Sequence, residues 1–158
     1  MRNVSIVGLG LAGFAGLVFT LFADFDVEAQ TLRKRAVESA DAPKAIGPYS
    51  HAIIANGFIF LAGKVGTDSK TDALVGGGIA EQTEKAISNL EVVLKAAGSS
   101  LDDVVKTTVF LADMNDFAKM NEVYGKRFRA PFPARSTVQV ARLPRDAKIE
   151  IEAVAVAK

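Results

Sequence analysis

Ile79-Ala80-Glu81-Gln82-Thr83-Glu84-Lys85-Ala86-Ile87-Ser88-Asn89-Leu90-Glu91-Val92-Val93-Leu94-Lys95-Ala96-Ala97-Gly98 is where the chain changes period. Ile79, Thr83, Ala86-Ile87, Leu90, Val93-Leu94 and Ala97 recur every three or four residues, which makes one apolar stripe on a helix. Glu81, Glu84, Lys85, Glu91 and Lys95 fall off that stripe and read as a solvated face, not a site. Gly98 supplies the C-terminal stop. A helix with one apolar stripe, flanked by segments of period two, has to lie on a sheet.

Working outward toward the N-terminus, residues 63–78 are rich in Gly, Asp, Ser and Thr and read as loop, with one short strand around Leu74-Val75. The triple glycine at 76–78 lacks the lysine and hydroxyl of a phosphate-binding loop and reads as a turn into the helix. Before it, residues 51–55, Asn56-Gly57 and residues 58–62 carry the strongest hairpin signal in the chain. Ala42-Pro43 and Gly47-Pro48-Tyr49-Ser50 are turns framing a short arm.

Working outward toward the C-terminus, residues 99–103 turn the chain into a dense β-branched strand, Val104 to Leu111. Asn115 or Asp116 can cap a second helix, which buries Phe117, Met120, Val123, Tyr124 and Phe128. Pro131-Phe132-Pro133 then enters as a stiff extended arm and leads into a strand at Ala134 to Val140. After a Leu143-Pro144 turn, Ile149 to Val156 alternates as a final strand. The order ββ(β)αβαββ predicts an α+β sandwich, a mixed sheet with two helices on one face. The other face is left to be covered, and self-association is the common solution.

Composition narrows the chemistry. With 49% apolar and 23% charged residues and a net charge of +1, nothing pushes the chain toward nucleic acid or an acidic partner. The absence of cysteine removes disulfides, thiolate catalysis and cysteine-ligated metal. A single histidine, His51, argues against a His-based zinc site or a Ser-His-Asp triad. Carboxylates, arginine, hydroxyls, backbone groups and water are what remain.

The first residues stand apart. Arg2 precedes an uncharged run from Val4 to Ala23, long enough for a bilayer core, and Asp24, Asp26 and Glu28 follow it. Val27-Glu28-Ala29 offers compact residues where a signal peptidase reads, so residues 1–29 are expected to be a cleaved secretory signal or an uncleaved membrane anchor. The domain would then be exported, periplasmic or secreted, or else tethered to a membrane through that segment. Gly8-Leu9-Gly10-Leu11-Ala12-Gly13 satisfies a dinucleotide-binding pattern but has no following strand or acidic residue to support it. Residues 30–41 read as a linker and residues 42–158 as the folded domain.

Two strands carry the candidate site. Arg135, Thr137 and Gln139 share one face of their strand, and a guanidinium on a rigid strand suits a carboxylate or phosphate. Glu150 and Glu152 share one face of the last strand. The two strands are consecutive and are expected to pair, which would let Arg135 hold an anion while a carboxylate polarises water. Tyr49, held by Gly47-Pro48, is a third candidate. The plain alternatives are a surface arginine, a solvent-facing pair of glutamates and a packed aromatic.

From about Ala42 to Val156 these residues resemble the RidA (YjgF) family of reactive-intermediate, or enamine/imine, deaminases. The resemblance rests on Ala45-Ile46-Gly47-Pro48-Tyr49-Ser50, Gln82 with Asn89-Leu90, Ala96-Ala97-Gly98, Val105-Lys106-Thr107-Thr108-Val109 and Asp116-Phe117 with Asn121-Glu122-Val123-Tyr124. Pro133-Ala134-Arg135-Ser136, Leu143-Pro144 and Ile149-Glu150-Ile151-Glu152-Ala153 complete it. It implies a chorismate-mutase-like fold, a homotrimer with sites between subunits, and hydrolysis of 2-iminobutanoate or 2-iminopropanoate to the 2-keto acid and ammonia. By position it implies Arg135 as the clamp on the substrate carboxylate and Glu150 as the group that activates water. It further implies Tyr49, Asn121, Thr137 and the backbone of Gly63 as cleft residues. No metal, no organic cofactor and no nucleic-acid partner is implied.

Two departures stand out. Ala62-Gly63-Lys64 replaces a frequent Ser-Gly-Gln, which removes a hydroxyl and adds a positive charge. The N-terminal segment is also unusual for a family whose members are mostly soluble and intracellular. Two other functional classes stay open at this point: a non-enzymatic carboxylate-binding or stress-holdase module, and an endoribonuclease.

Overall fold

The structure is a computed structural model and describes residues 34–158. The expected signal or anchor at residues 1–29 lies outside the described residues. Among the described residues no helix is long and apolar enough to cross a membrane.

Six strands form one mixed sheet: β1 (Arg35–Val37), β2 (Ala52–Ala55), β3 (Phe58–Val65), β4 (Val104–Leu111), β5 (Ala134–Gln139) and β6 (Ile149–Val156). The spatial order is β1-β2-β3-β6-β4-β5. All neighbours are antiparallel except β4 and β5, which run parallel. Two helices, α1 (Ile79–Ala96) and α2 (Phe117–Arg127), complete the sandwich. This is the expected α+β architecture.

The β2–β3 hairpin turns where Asn56-Gly57 predicts it, with both residues in the left-handed region (φ 50° and 74°) that a tight primed turn needs. Helix α1 starts where Glu81 accepts a 2.7 Å hydrogen bond from the Gly78 N–H, and stops at Gly98, whose φ is 80°. Its Ile87, Leu90, Val93 and Leu94 are fully buried. At about 1.5–3 kcal/mol per buried aliphatic side chain, that stripe contributes several kcal/mol toward holding α1 on the sheet.

Three boundaries differ from the sequence reading. Strand β1 falls inside the stretch read as linker, where Arg35, Ala36 and Val37 pair with Ile54, Ile53 and Ala52. Strand β3 runs on to Val65, so Gly63 lies in a strand and not in a loop. The short strand expected at Leu74-Val75 is reduced to a single bridge between Thr67 and Leu74. At α2, neither Asn115 nor Asp116 supplies the cap. Asp113 accepts a 2.9 Å bond from the Asn115 N–H, and a 3₁₀ turn at Met114–Asp116 precedes the helix. Of the residues expected to be buried there, Met120, Tyr124 and Phe128 are, whereas Phe117 stays 38% exposed.

Strand β3 also contains an irregularity that positions the site. Leu61 opposes Ala153, but Lys64 opposes Ile151, so three steps on β3 match two on β6. This is a β-bulge at Ala62-Gly63, and it reverses the inward and outward alternation beyond it. Lys64 is turned to the buried side of the sheet and Val65 to the side of Glu150.

Candidate active site

Glu150 lies on β6 between Val65 of β3 and Phe110 of β4. Its neighbours Ile149 and Ile151 are fully buried under the helices, so alternation directs Glu150 to the opposite face. There its carboxylate runs over Gly63. A Cβ at that position would sit 1.8 Å from Glu150 Oε1, so only glycine leaves room for the carboxylate. Burial pushes the Glu150 carboxyl above its ordinary value and nearby Glu152 adds to this, while Lys64 opposes both.

A cavity of about 350 Å³ opens over this carboxylate, and its lining includes Tyr49, Gly63, Lys64, Asn89, Arg145 and Glu150. Tyr49 is held in its arm by its own N–H, which donates to the Gly47 carbonyl at 2.9 Å. Its hydroxyl accepts from the Ile46 N–H at 3.3 Å. Asn89, from α1, donates to the carbonyls of Val65 (3.0 Å) and Thr67 (2.8 Å), which ties the helix to the end of β3. Arg145 grips both carboxylate oxygens of Asp72 at 3.0 and 2.9 Å, joining the loop before α1 to the turn before β6. Beside the cavity, His51 is buried and its Nδ1 accepts from the Ser39 N–H at 3.3 Å. Burial, with Lys64 second, lowers its pKa, so the ring is neutral near pH 7.

Arg135 is elsewhere. The expected pairing of its strand with the Glu150 strand does not occur, because β4 lies between β5 and β6. In register, Arg135 opposes Thr107, a fully buried residue on the helix side, whereas Glu150 opposes Phe110 on the other side. The two groups therefore point to opposite faces of the sheet. The physical reason is that the long β5–β6 connection leaves room for a crossover, and the β-branched β4 is the better central strand.

On its own face Arg135 lies over the Tyr124 ring at 4.6 Å and the Phe117 ring at 5.7 Å. Tyr124 is fixed by a 2.7 Å hydrogen bond to Thr107 Oγ1, so the stacking surface is rigid. Thr137 follows on the same face, and its buried Oγ1 has no hydrogen-bond partner among the described residues. Asn121 belongs to α2, the helix that supplies both rings, and does not line the cavity.

The sequence-predicted residues thus form two groups. Tyr49, Gly63 and Glu150 share the cavity, while Arg135, Thr137 and Asn121 belong to the β5–α2 side. Asn89 and Arg145 were not singled out as site residues. Asn89 carries no polar pattern among its helical neighbours to mark it, and Arg145 meets Asp72 across a separation of 73 residues.

Comparison with known proteins fits this geometry. The chain is 46% identical over 155 residues to Reactive Intermediate Deaminase A, chloroplastic, of Arabidopsis thaliana, covering 94% of this chain and 83% of that protein. It is 48% identical over 126 residues to human 2-iminobutanoate/2-iminopropanoate deaminase, covering 80% of this chain and 92% of that protein. Among solved structures, Escherichia coli TdcF with bound serine matches with a TM-score of 0.74 at 39% identity, over 78% of this chain and 99% of that one. Yeast Mmf1 matches with a TM-score of 0.76 at 40% identity, over 80% of this chain and all of that one. The Endoribonuclease L-PSP family model matches residues 39–157, and with these relatives beside it the chain belongs to that family, the RidA (YjgF) family.

Proposed function

We propose that the protein hydrolyses small 2-imino acids, 2-iminobutanoate and 2-iminopropanoate, to the 2-keto acid and ammonia. The observation that carries this is the half-buried Glu150, fitted over Gly63 in a cavity of about 350 Å³. That volume suits a small organic acid, whereas RNA cleavage would need an extended groove with stacking aromatics. An imine carbon is already electrophilic, so a fixed substrate and an oriented water are most of what catalysis requires. Glu150 takes a proton from the attacking water and returns it to the departing amine. Burial raises its pKa above the ordinary carboxylate value, which makes it a better acceptor for that proton. Tyr49 orients the substrate from the cavity wall, and relatives named for this reaction support the reading.

The substrate carboxylate needs a cation, and Arg135 is the clamp in this proposal. Since it lies on the opposite face from Glu150 in one chain, a second copy has to bring it to the cavity. Exposed Phe58, Phe60, Val138 and Val156 provide the apolar surface for a homotrimer. Thr137 Oγ1 would find its missing partner there, and Asn121 would line the same side. Residues 1–29 remain our proposal for an export signal or anchor, and mass spectrometry of the native N-terminus tests it.

The function is tested by generating 2-iminobutanoate with a threonine dehydratase and following 2-oxobutanoate. Glu150→Gln and Arg135→Ala should each lose about 10²-fold or more in rate. Wild-type turnover by either variant would overturn the corresponding assignment.

A further inference from the structure

Arg135 is held differently from Arg127, Arg142 and Arg145, each of which grips a carboxylate. Arg135 meets ring faces instead, Tyr124 at 4.6 Å and Phe117 at 5.7 Å. The nearer ring is itself fixed on two sides. In the β4–β5 register Thr107 stands opposite Arg135, and its hydroxyl shares a 2.7 Å hydrogen bond with the Tyr124 hydroxyl. That bond ties the tip of a side chain from α2 to the strand beside Arg135. The Tyr124 ring also stacks on Phe128, with centroids 4.3 Å apart, so only its other face is left for the guanidinium. Burial raises the pKa of the Tyr124 hydroxyl, and the ring meets Arg135 as a neutral phenol.

The manner of holding matters for an anion clamp. A carboxylate partner occupies guanidinium donors and competes with the ligand for them. A ring face attracts the cation and leaves its five N–H donors free. We infer that Tyr124 is a positioning residue, whose ring holds the Arg135 guanidinium where the substrate carboxylate docks without occupying a donor. This deepens the deaminase reading and rests on it for Arg135 as the clamp. Tyr124 acts only through Arg135 and takes no part in the Glu150 step. Weakening the ring's attraction should therefore raise KM and leave kcat little changed.

Graded fluorination tests this on the full-length protein. Tyr124→Phe is the baseline, and mono-, di- and trifluorophenylalanine are placed at the same position. Each fluorine withdraws electron density from the ring face with little change of ring size, and all four rings lack the hydroxyl that bonds Thr107. Affinity for 2-oxobutanoate, a stable keto acid with the same carboxylate, is read by NMR titration. Kd should rise with each fluorine, by about tenfold across the series, and KM for the imine should rise with it. In an Arg135→Ala background any binding that remains should be the same for all four rings. Equal affinity across the series, or an unchanged fluorine dependence without Arg135, would overturn the inference, because a packing role follows ring size and not ring electrostatics. If the substituted chains fail to fold, the wild-type protein decides the matter. Its Arg135 side-chain protons should be shifted upfield by the Tyr124 ring, and unshifted signals would sink the inference. Fluorine-dependent binding in a protein whose wild type does not hydrolyse imine sinks only the deaminase reading. Imine hydrolysis with a flat fluorine series sinks only the role of Tyr124.

Discussion

At Gly63 a single methyl group would overlap the Glu150 carboxylate, since the nearest Glu150 oxygen is 1.8 Å from the Cβ position. Gly63→Ala is therefore expected to keep the fold and displace Glu150. The imine assay should show a rate loss on the order of 10²-fold, as a misplacement near 1 Å can produce. Glu150 also predicts a pH signature. Its folded pKa lies above its ordinary value of 4.5, so ionising it costs the folded state more than the unfolded one. The protonated form is the better accommodated, and the penalty grows as pH rises through the folded pKa. Thermal melts of Glu150→Gln and wild type should coincide below about pH 4 and separate above it, with the variant melting higher. Equal melting temperatures at pH 8 would contradict this. The sequence made Arg135, Glu150 and Tyr49 visible as residue types on the right kinds of element. It could not show that Arg135 and Glu150 point to opposite faces, because that depends on which strand lies between them.

Elements were more legible where a local rule decides them. The period of α1, the Asn56-Gly57 turn and the alternation of β6 each survive in the structure unchanged. Strand β1 was hidden because its basic neighbours and three-residue length resemble a linker, and only pairing with β2 makes it a strand. Long-range side-chain links between elements were also unreadable. Arg127 reaches from α2 to Glu84, Ser88 (3.1 Å) and Glu91 (2.8 Å) on α1. With its side chain 19% exposed, Arg127→Ala should lower unfolding free energy by about 1–2 kcal/mol, read as a lower urea midpoint with an unchanged slope. The loop before α1 has a similar staple. Asp68 is brought down to about 2 by Lys85 Nζ first, then by the N–H groups of Thr71 and Lys70. Its contribution is full well above the ordinary value of 3.8 and is lost as pH falls through about 2, so Asp68→Asn should destabilise at pH 6 and markedly less at pH 2.

For the whole molecule, the decisive fact is that one chain holds the two halves of the proposed site on opposite faces. If copies complete each other, Arg135→Ala and Glu150→Gln are complementary lesions. Unfolding and refolding an equal mixture should restore about a quarter of wild-type turnover, since random pairing puts an intact Arg135 beside an intact Glu150 at one interface in four. Separately refolded variants mixed afterwards should stay inactive until subunits exchange. An inactive mixture with a verified mixed assembly would place the carboxylate clamp on another residue. A sheet with helices on only one face signalled self-association in the sequence, but strand alternation alone does not tell a face that meets solvent from one that meets a copy.

The bulge in β3 has a consequence that reaches beyond this chain. Strict alternation from Ile59 and Leu61 would leave residue 64 on the outer face, the one that carries Glu150. One additional residue between the paired positions exchanges the sides of everything after it. A point substitution at 64 therefore alters the buried side of the sheet, while a one-residue deletion at 62 or 63 would put Lys64 on the face of Glu150 and Val65 on the buried side without changing the identity of any other side chain. Between lineages, insertions and deletions at such a place act as changes of chemistry, and an alignment that scores them as gaps in a strand would miss it.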